Sequence, residues 1–427
     1  MLYLQNGYLI DPRSGMEGYR DILIKDGKIA RILPQGTPVD ECTVERTIDL
    51  NGQCVAPGLV DVHVHFRDPG FTYKEDIHTG AEAAARGGFT SVVLMANTNP
   101  AVDNRQTLSY VLKKGLETGI HIHTCANVTK GMKGQELTDM EELSSLGAAG
   151  FTDDGIPLLD ETLLRQALRR AAALDRPVSL HEENPALIRN NGVNAGRAAE
   201  YFGIGGSPRE AEISMVERDL KIAVTEEADL SIQHISTREA VELVRQAKRL
   251  SSHIYAEATP HHFTLTEDAV IRHGTLAKMN PPLREEKDRL AIIEGLRDGT
   301  IDMIATDHAP HSTEEKGRPL TEAPSGIIGL ETALSLGIRE LVQKGYLSMA
   351  ELVRRMSCAP AELYRLDAGY IAEGGPADLV VFDPDREWVV KEFASRAVNS
   401  PFVGETMPGV IAYTICGGGI VYQRKQV

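Results

Sequence analysis

The sequence has 427 residues, 42% of them hydrophobic and 25% charged, which is typical of a folded chain large enough for two domains or for one large barrel with an appendage. Its formal net charge of −16 and its lack of Lys/Arg-rich runs argue against binding to nucleic acid or to an anionic membrane through a basic surface. No stretch of about 18 apolar residues predicts a membrane span, and the opening "MLYLQNGYLIDPRSG" is unlike a signal peptide, so we predict a cytoplasmic protein.

The two ends of the chain share one pattern. Residues 1 to 55 contain short alternating apolar runs separated by Asn-Gly and Asp-Gly, a strong local signal for β-hairpins. The same pattern returns near the end in "GYIAEGGPADLVVFDPDREWVV" and "VIAYTICGGGIVYQ". Because chain termini usually lie close together in space, we predict one small β-sandwich domain built from residues 1–57 and 366–427.

Residues 58–365 follow a different pattern, in which apolar strands alternate with helical segments. The predicted strands are "LVDVHVH", "TSVVLMAN", "IHTCANV", "GAAGFTDD", "PVSLHEE", "DLSIQHIS", "HIYAEATPHH" and "IDMIATDHAP". This repetition of strand and helix predicts a (β/α)8 barrel, the TIM barrel. A doubly wound sheet is the alternative, but its first strand would be followed by a Gly-rich loop, and "HVHFRDPG" is not one.

Histidines and acids collect at the carboxyl ends of these predicted strands, where barrel enzymes have their active sites. In the first strand His63 and His65 are one residue apart and therefore share a face. The others, strand by strand, are Asn97, Asp153 and Asp154, His181, His234, His261 and His262, and Asp307 and His308. Each of these residues, taken alone, could be an ordinary hydrogen-bonded polar residue or part of a turn. Together, at equivalent places in one barrel, they predict one site.

Imidazole and carboxylate ligands suit zinc, manganese or cobalt better than calcium or magnesium. One open catalytic zinc needs three protein ligands and a water, whereas four histidines and two aspartates suit two metals that share a bridging carboxylate. Such a pair makes hydroxide available near neutral pH and polarises a carbonyl group. Asp307 can bind a metal through one oxygen and carry a proton through the other. These features indicate metal-dependent hydrolysis of an amide-like bond.

The motifs "DVHVHFRDPG", "ANTNP", "FTDDG", "MNPPLR" and "TDHAPH", in this order, resemble the amidohydrolase superfamily and specifically its bacterial type I dihydroorotases. The resemblance covers essentially the whole chain. It implies zinc-dependent, reversible cyclisation of N-carbamoyl-L-aspartate to L-dihydroorotate in de novo pyrimidine (UMP) biosynthesis. A metal-bridged hydroxide would be the nucleophile and Asp307 the catalytic acid/base.

The resemblance also implies two zinc ions per chain. One would be held by His63, His65 and Asp307, the second by His181 and His234, with a bridge from an aspartate of "FTDDG". We choose Asp154 over Asp153 as the bridge, because alternation along a strand lets one of the two face the mouth of the barrel. His262, His308, Glu182 and Glu183 would be supporting or structural groups.

The resemblance assigns the substrate to a set of residues at the same mouth: Arg67, Asn97, Asn280, His311, Ser325 and Gly326. A planar guanidinium suits a carboxylate through two parallel hydrogen bonds. Ordinary alternatives stay open, namely an ion pair between Arg67 and Asp68, and backbone capping by Asn97 and Asn280. The segment "DHAPHSTEEKGRPLTEAPSG" is predicted to be a loop that closes over the substrate.

Two positions depart from the family pattern. Ser325 stands where many members have phenylalanine, and Glu182 follows the strand-five histidine where a small or apolar residue is expected. If the backbone of Ser325 contacts the substrate, that change is harmless. If a side chain is needed there to close the pocket, substrate affinity suffers.

Two alternative functions remain. Hydantoinases and allantoinases open related rings, but they usually bridge their metals with a carboxylated lysine on strand four, where this chain has "FTDDG". A non-catalytic partner of aspartate carbamoyltransferase would tend to lose metal ligands, and none is lost here. We therefore expect an enzyme with a small-molecule substrate. We also expect a homodimer, with a possible association with aspartate carbamoyltransferase.

Overall fold

The computed structural model describes residues 1–40 and 44–425, so residues 41–43 and 426–427 of the predicted terminal domain lie outside the described residues. The strands are β1 (Leu2–Asp11), β2 (Met16–Lys25), β3 (Lys28–Pro34), β4 (Arg46–Asp49), β5 (Cys54–Pro57), β6 (Leu59–Val64), β7 (Phe89–Leu94), β8 (His121–Thr124), β9 (Val178–Leu180), β10 (Leu230–Ile232), β11 (Ile254–Ala258), β12 (Met303–Ile304), β13 (Leu379–Val389), β14 (Thr406–Cys416) and β15 (Gly419–Gln423).

The helices are α1 (Ile77–Arg86), α2 (Arg105–Gly115), α3 (Met140–Ser145), α4 (Glu161–Ala173), α5 (Arg197–Phe202), α6 (Arg209–Glu226), α7 (Arg238–Lys248), α8 (Pro260–Thr264), α9 (Asp268–His273), α10 (Glu286–Asp298), α11 (Thr313–Lys316), α12 (Ala333–Gly337), α13 (Met349–Val353) and α14 (Ala359–Leu363). Shorter 3-10 or π-helical turns cover Lys130–Met132, Pro185–Leu187, Gly274–Ala277, Ile338–Val342 and Arg354–Cys358. Side-chain caps begin several helices: Asp76 accepts from two backbone amides of α1, and Thr237 caps α7.

Strands β6 to β12 form the barrel. The parallel runs β6-β7-β8 and β9-β10-β11-β12 are joined by a segment at Phe151, which bridges to Ala126 on one side and to Val178 on the other. The ring closes where Val64 pairs with His308. Seven strands and the Phe151 segment thus make the eight positions of a TIM barrel, and the fourth position is reduced to a single bridging residue.

The barrel interior is filled rather than open. Val60, Val62, Val93, Met95 and Met303 are buried there in one apolar cluster. Tyr364, directly after α14, belongs to the same cluster. Since these side chains occupy the centre, the barrel is not a channel, and a site that is open to solvent has to lie at one of its ends.

The strands from the two chain ends form one sheet with the order β15-β14-β13-β5-β1-β2-β3, and β4 pairs with β1. The turn between β2 and β3 lies near the turn between β14 and β15, because Ala377 donates to Gly27 O and Gly418 donates to Ala377 O. An apolar core that includes Leu9, Ile22 and Val381 packs inside. The predicted fold class, a TIM barrel with a small β-domain from both termini, is confirmed, whereas the division at residues 57/58 and 365/366 stays a prediction.

Within residues 1–40 and 44–425, no helix combines the length and the apolarity that a membrane crossing requires.

Candidate metal-dependent active site

The two histidines of the first barrel strand face two aspartates. His63 is buried, with Nε2 at 3.4 Å from Asp154 Oδ1 and 3.6 Å from Asp307 Oδ1. His65 Nε2 lies 3.0 Å from Asp307 Oδ1 and 3.4 Å from Asp154 Oδ2. Residues 242 positions apart in sequence therefore meet at the mouth of the barrel.

The histidines that follow β9 and β10 form a second group beside the first. Nδ1 of His181 lies 3.1 Å from Nε2 of His234, and that nitrogen is 3.9 Å from Asp154 Oδ1. One ligand atom from each of Asp154, His181 and His234 falls within 4.8 Å of the others, and so does one from each of His63, His65 and Asp154. Asp154 is common to both groups, which is the position that a bridging ligand occupies.

The donor set fits divalent metal ions. Its atoms are imidazole nitrogens and carboxylate oxygens, the ligands of catalytic zinc sites. Two ring nitrogens, His63 Nε2 and His234 Nδ1, are buried without a hydrogen-bond partner among the residues that the structure describes. Buried polar atoms normally have a hydrogen-bond partner, so a buried nitrogen without one needs an explanation. A metal ion bound to His63 Nε2 would explain why that nitrogen has none.

Three residues of the site have left-handed backbone conformations. The φ angles of Arg67, His234 and Asp307 are 59°, 31° and 47°. Non-glycine residues seldom adopt positive φ, and strain of this kind concentrates at functional sites, where the surrounding fold holds it in place. Each of the three lies in the loop just beyond the carboxyl end of a barrel strand and lines the pocket at the mouth.

The two aspartates of "FTDDG" have different surroundings. Asp153 accepts hydrogen bonds from the backbone amides of Val128 and Thr129 and from the side chain of Asn127. Asp154 instead faces the histidines and accepts from Asn97 Nδ2 at 3.0 Å. The structure thus places Asp154 in the cluster and Asp153 in the support of the neighbouring loop.

Asparagine substitutions separate these two roles. We expect Asp154→Asn to lose bound metal and at least about 100-fold in activity, because a charged ligand shared by both groups becomes neutral. We expect Asp153→Asn to keep its metal but to lose about 1–3 kcal/mol of folding free energy, since one amide oxygen cannot replace two carboxylate oxygens. Metal analysis and denaturant unfolding of the matched pair check this. The reverse pattern would move the bridge to Asp153.

Two further side chains orient the histidines. Glu257 is buried on β11, with Oε1 2.5 Å from His63 Nδ1. Asn97 Oδ1 lies 3.0 Å from His65 Nδ1, while its Nδ2 donates to Asp154. Carboxylate or amide partners of this kind fix the tautomer of a ligating histidine. Sequence reasoning missed Glu257, although an acid inside the apolar run "IYAEA" was a usable signal.

The charges of the cluster stabilise one another. Burial alone would raise the pKa of Asp307, but the hydrogen bond with His65 and the neighbouring histidine charges outweigh it, and the pKa lies below its ordinary range. The pKa of Asp154 is likewise well below normal: burial opposes this shift, and His63, His234 and His65 cause it. Both carboxylates are therefore held ionised.

A pocket of about 360 Å³ opens above the cluster. Its lining includes the substrate residues predicted from the sequence, namely Arg67, Asn97, Asn280, His311, Ser325 and Gly326. It also includes Asn191, which sequence reasoning did not single out. Asn280 Nδ2 lies 3.2 Å from His181 Nε2, which places this amide between the histidine cluster and the pocket.

Arg67 is half-buried in the wall of this pocket. Its Nε donates to Pro310 O at 3.3 Å, and its Nη2 lies 3.5 Å from His311 Nε2. A guanidinium has five N–H donors, and these contacts use at most two of them. Asp68 instead pairs with Lys114 and accepts from Tyr110, so the alternative of an Arg67–Asp68 ion pair is not what the structure shows.

The loop after the last barrel strand, residues 311–326, is fastened by three buried groups. Lys316 Nζ donates to the carbonyl oxygens of Pro324 and Gly326, at 2.9 and 3.0 Å. Lys278 Nζ donates to Leu320 O and Ala323 O. Asn399 Nδ2 donates to Gly326 O, and its Oδ1 accepts from His311 N. His311 already lines the pocket in this arrangement, with Nε2 2.8 Å from Ser325 O.

Lys316→Met should loosen this loop and weaken substrate binding. A hydrogen bond to a charged group contributes about 1.5–3 kcal/mol, and 1.4 kcal/mol is tenfold in affinity, so we expect KM to rise at least about tenfold. We expect kcat to fall by less, because Asp307 and the histidines are untouched. Steady-state kinetics check this, with Arg318→Met on the exposed side of the same loop as the control. An unchanged KM would refute the positioning role.

The remaining predicted groups lie around the cluster. His308 Nδ1 accepts from the backbone amide of Gly329, and His262 Nε2 lies 3.0 Å from Pro281 O. Glu183 Oε2 lies 3.4 Å from His181 Nε2. Glu182, one of the two departures from the family pattern, is buried, and burial and the neighbouring Asp219 raise its pKa well above the ordinary value. It is not among the residues that line the pocket. Ser325 is the other departure from the family pattern. Its hydroxyl packs against Gly192, and a Cβ atom added at position 192 would lie 2.1 Å from that hydroxyl oxygen.

Comparison with known proteins agrees with this geometry. Residues 54–421 match the Amidohydrolase family. A protein of Clostridioides difficile (strain 630) named dihydroorotase is 54% identical over 99% of this chain and 100% of its own length. A protein of the same name from Lactococcus lactis is 50% identical over 99% of this chain and 100% of its own length.

Among solved structures, L-hydantoinase (dihydropyrimidinase) from Arthrobacter aurescens is similar with a TM-score of 0.88 and 26% identity, over 100% of this chain and 97% of that one. Dihydropyrimidinase from Brevibacillus agri, at 24% identity and a TM-score of 0.86 over 99% of this chain and 95% of that one, shares the fold. The chain belongs to the amidohydrolase family and, within it, to the dihydroorotases.

Proposed function

We propose that the protein is a hydrolase of cyclic amide C–N bonds that catalyses the dihydroorotase reaction, the reversible conversion of N-carbamoyl-L-aspartate to L-dihydroorotate and water. The observation that carries this proposal is the convergence of four buried histidines, Asp154 and Asp307 beneath a pocket in which Arg67 presents unused donors. The names of the full-length relatives support the same reaction.

We further propose that two zinc ions bind this cluster. His63, His65 and Asp307 would hold one, His181 and His234 the other, and Asp154 both. When bound, such ions lower the pKa of water and polarise a carbonyl group. The composition of the donor set and the shared position of Asp154 support this assignment.

In this mechanism Asp307 carries the proton. In the direction of hydrolysis, water adds to the ring amide carbon, and its proton passes to the Asp307 carboxylate. The C–N bond then breaks, and Asp307 returns that proton to the leaving nitrogen. A carboxylate positioned in this way acts as the general base in the first step and as the general acid in the second. In the direction of ring closure the same transfers run in reverse.

The substrate is oriented by the pocket wall. Arg67 would bind the carboxylate of dihydroorotate through parallel N–H donors, a geometry that lysine cannot copy. Asn280 and the backbone of Ser325 and Gly326 would bind ring atoms. His311 Nε2 lies 2.8 Å from Ser325 O and so helps to hold that backbone in place. Asn97 would act mainly through the ligands that it holds.

The test of this proposal is a comparison of substrates on the metal-loaded protein. We expect hydrolysis of L-dihydroorotate to exceed that of hydantoin and allantoin by a large factor, because neither of these carries a carboxylate for Arg67. Faster opening of hydantoin would assign the protein to the activity of its structural relatives. Metal-loaded protein that opens none of the rings would support a non-catalytic role.

We propose a cytoplasmic homodimer and a possible association with aspartate carbamoyltransferase on the strength of the family resemblance alone. Light scattering of the purified protein tests the first proposal. Co-elution with the transferase on a sizing column tests the second. A monomeric species that elutes separately would contradict both.

A further inference from the structure

A third group of metal-ligating side chains lies outside the candidate active site. It consists of His121, the first residue of β8; Cys416, the last residue of β14; and Asp378, directly before β13. One ligand atom from each lies within 4.8 Å of the others. The group therefore joins a barrel strand to two strands of the terminal sheet.

This group lies at the end of the barrel opposite the pocket. β8 begins at His121, whereas the active-site residues follow the carboxyl ends of the strands. The Cys416 thiol lies 3.6 Å from the carbonyl oxygen of Thr90, near the start of β7. None of the three side chains is among those that line the substrate pocket.

The contacts hold the group in place and leave it open to solvent on one side. Nε2 of His121 lies 2.9 Å from Asp378 Oδ2, and Asp378 Oδ1 accepts from Gly417 N at 2.7 Å. Asp378 and Cys416 are buried, at 4% and 8% exposure, but the side chain of His121 is 46% exposed. An ion can therefore reach two fixed buried donors through a half-open face.

We propose that His121, Asp378 and Cys416 form a separate metal site for zinc or a similarly thiophilic divalent ion. Sulfur, imidazole nitrogen and carboxylate oxygen are the three ligand types of protein zinc sites, and solvent can supply the fourth position. A thiolate ligand selects against magnesium and calcium. Binding releases to solvent the thiol proton of Cys416 and the proton shared by His121 Nε2 and Asp378, and the ion takes the place of the hydrogen bond between these two side chains.

The role of this site is structural. An ion that binds the folded protein and not the unfolded chain stabilises the fold by linkage. Here it would fasten the amino-terminal end of the barrel to the terminal sheet. Catalysis does not require this ion, because the substrate pocket is at the other end of the barrel.

Cobalt substitution tests the proposal directly. Cobalt bound to a thiolate gives a charge-transfer band in the near ultraviolet, and the candidate active-site ligands include no cysteine. We expect the full-length cobalt-loaded protein to show this band. Cys416→Ser should abolish it, and Cys54→Ser should retain it, since Cys54 lies in the same sheet with the same 8% exposure. Zinc content should fall by about one ion per chain in Cys416→Ser.

His121→Ala is the second variant. Because the side chain of His121 is half-exposed, its replacement leaves no cavity in the hydrophobic core. We expect at least about a tenfold weaker cobalt affinity at this site with unchanged dihydroorotate hydrolysis. Absence of the band in wild-type protein would overturn the proposal. So would a band that survives Cys416→Ser or keeps its affinity in His121→Ala.

Discussion

Replacing Asp307 with asparagine should lower kcat for L-dihydroorotate hydrolysis by about 10²–10⁴-fold, the range that a positioned acid/base contributes. The carboxylate lies 3.0 Å from His65 Nε2 and would both hold a metal and carry the proton. Asparagine keeps the size of the side chain but cannot accept and return a proton. The variant should therefore fold, bind substrate with a similar KM and turn over slowly.

The matched control is Asp302→Asn. Asp302 directly precedes β12, whereas Asp307 follows that strand. Asp302 accepts from the amide of Ala256 and pairs with Lys248, far from the pocket. We expect this variant to keep its activity within about threefold. Metal content should be measured on both proteins. Full activity in Asp307→Asn with its metal retained would remove Asp307 from the proton path.

Replacing Arg67 with methionine should lower kcat/KM for dihydroorotate by about 100-fold or more, mainly through KM. Two hydrogen bonds between a guanidinium and a carboxylate contribute about 1.5–3 kcal/mol each, and 1.4 kcal/mol corresponds to tenfold. Arg67→Lys should recover only part of the loss, because lysine keeps the charge but not the planar fork.

A substrate without the carboxylate provides the control. For dihydrouracil, which has the ring but lacks that group, Arg67→Met should change kcat/KM by less than about threefold. The wild-type preference for dihydroorotate over dihydrouracil should therefore collapse in the variant. An equal loss on both substrates would mean that Arg67 supports the fold of the pocket rather than the carboxylate.

The barrel could be predicted because each of its strands and helices has a recognisable hydrophobic pattern within a short stretch of sequence. Each apolar strand is followed by a polar residue at its carboxyl end, and a barrel brings equivalent ends together whatever their distance in sequence. His63 and Asp307 could thus be placed in one site from strand order alone. The exception is the fourth position, where the chain makes a single bridge at Phe151 although the pattern suggested a full strand.

The supporting residues were less predictable, because their roles depend on side-chain direction. Nothing in the sequence singles out Lys316 or Lys278, yet both are buried and donate to backbone carbonyls. Asn399 is more than 70 positions from the loop that it holds. Likewise, Asn97 was expected to bind substrate, and only the fold reveals that both ends of its amide engage His65 and Asp154. Its direct contact with substrate stays a prediction.

The most direct test of the central claim is dihydroorotate hydrolysis by one sample before metal removal, after chelation and after zinc is returned. Loss of the ultraviolet absorbance of L-dihydroorotate reports the reaction, and metal analysis accompanies each step. We predict activity that disappears with the metal and returns with zinc. Hydrolysis that persists in fully metal-free protein, or its absence in protein that holds its zinc, would contradict the assignment of the histidine and aspartate cluster as a dihydroorotase centre.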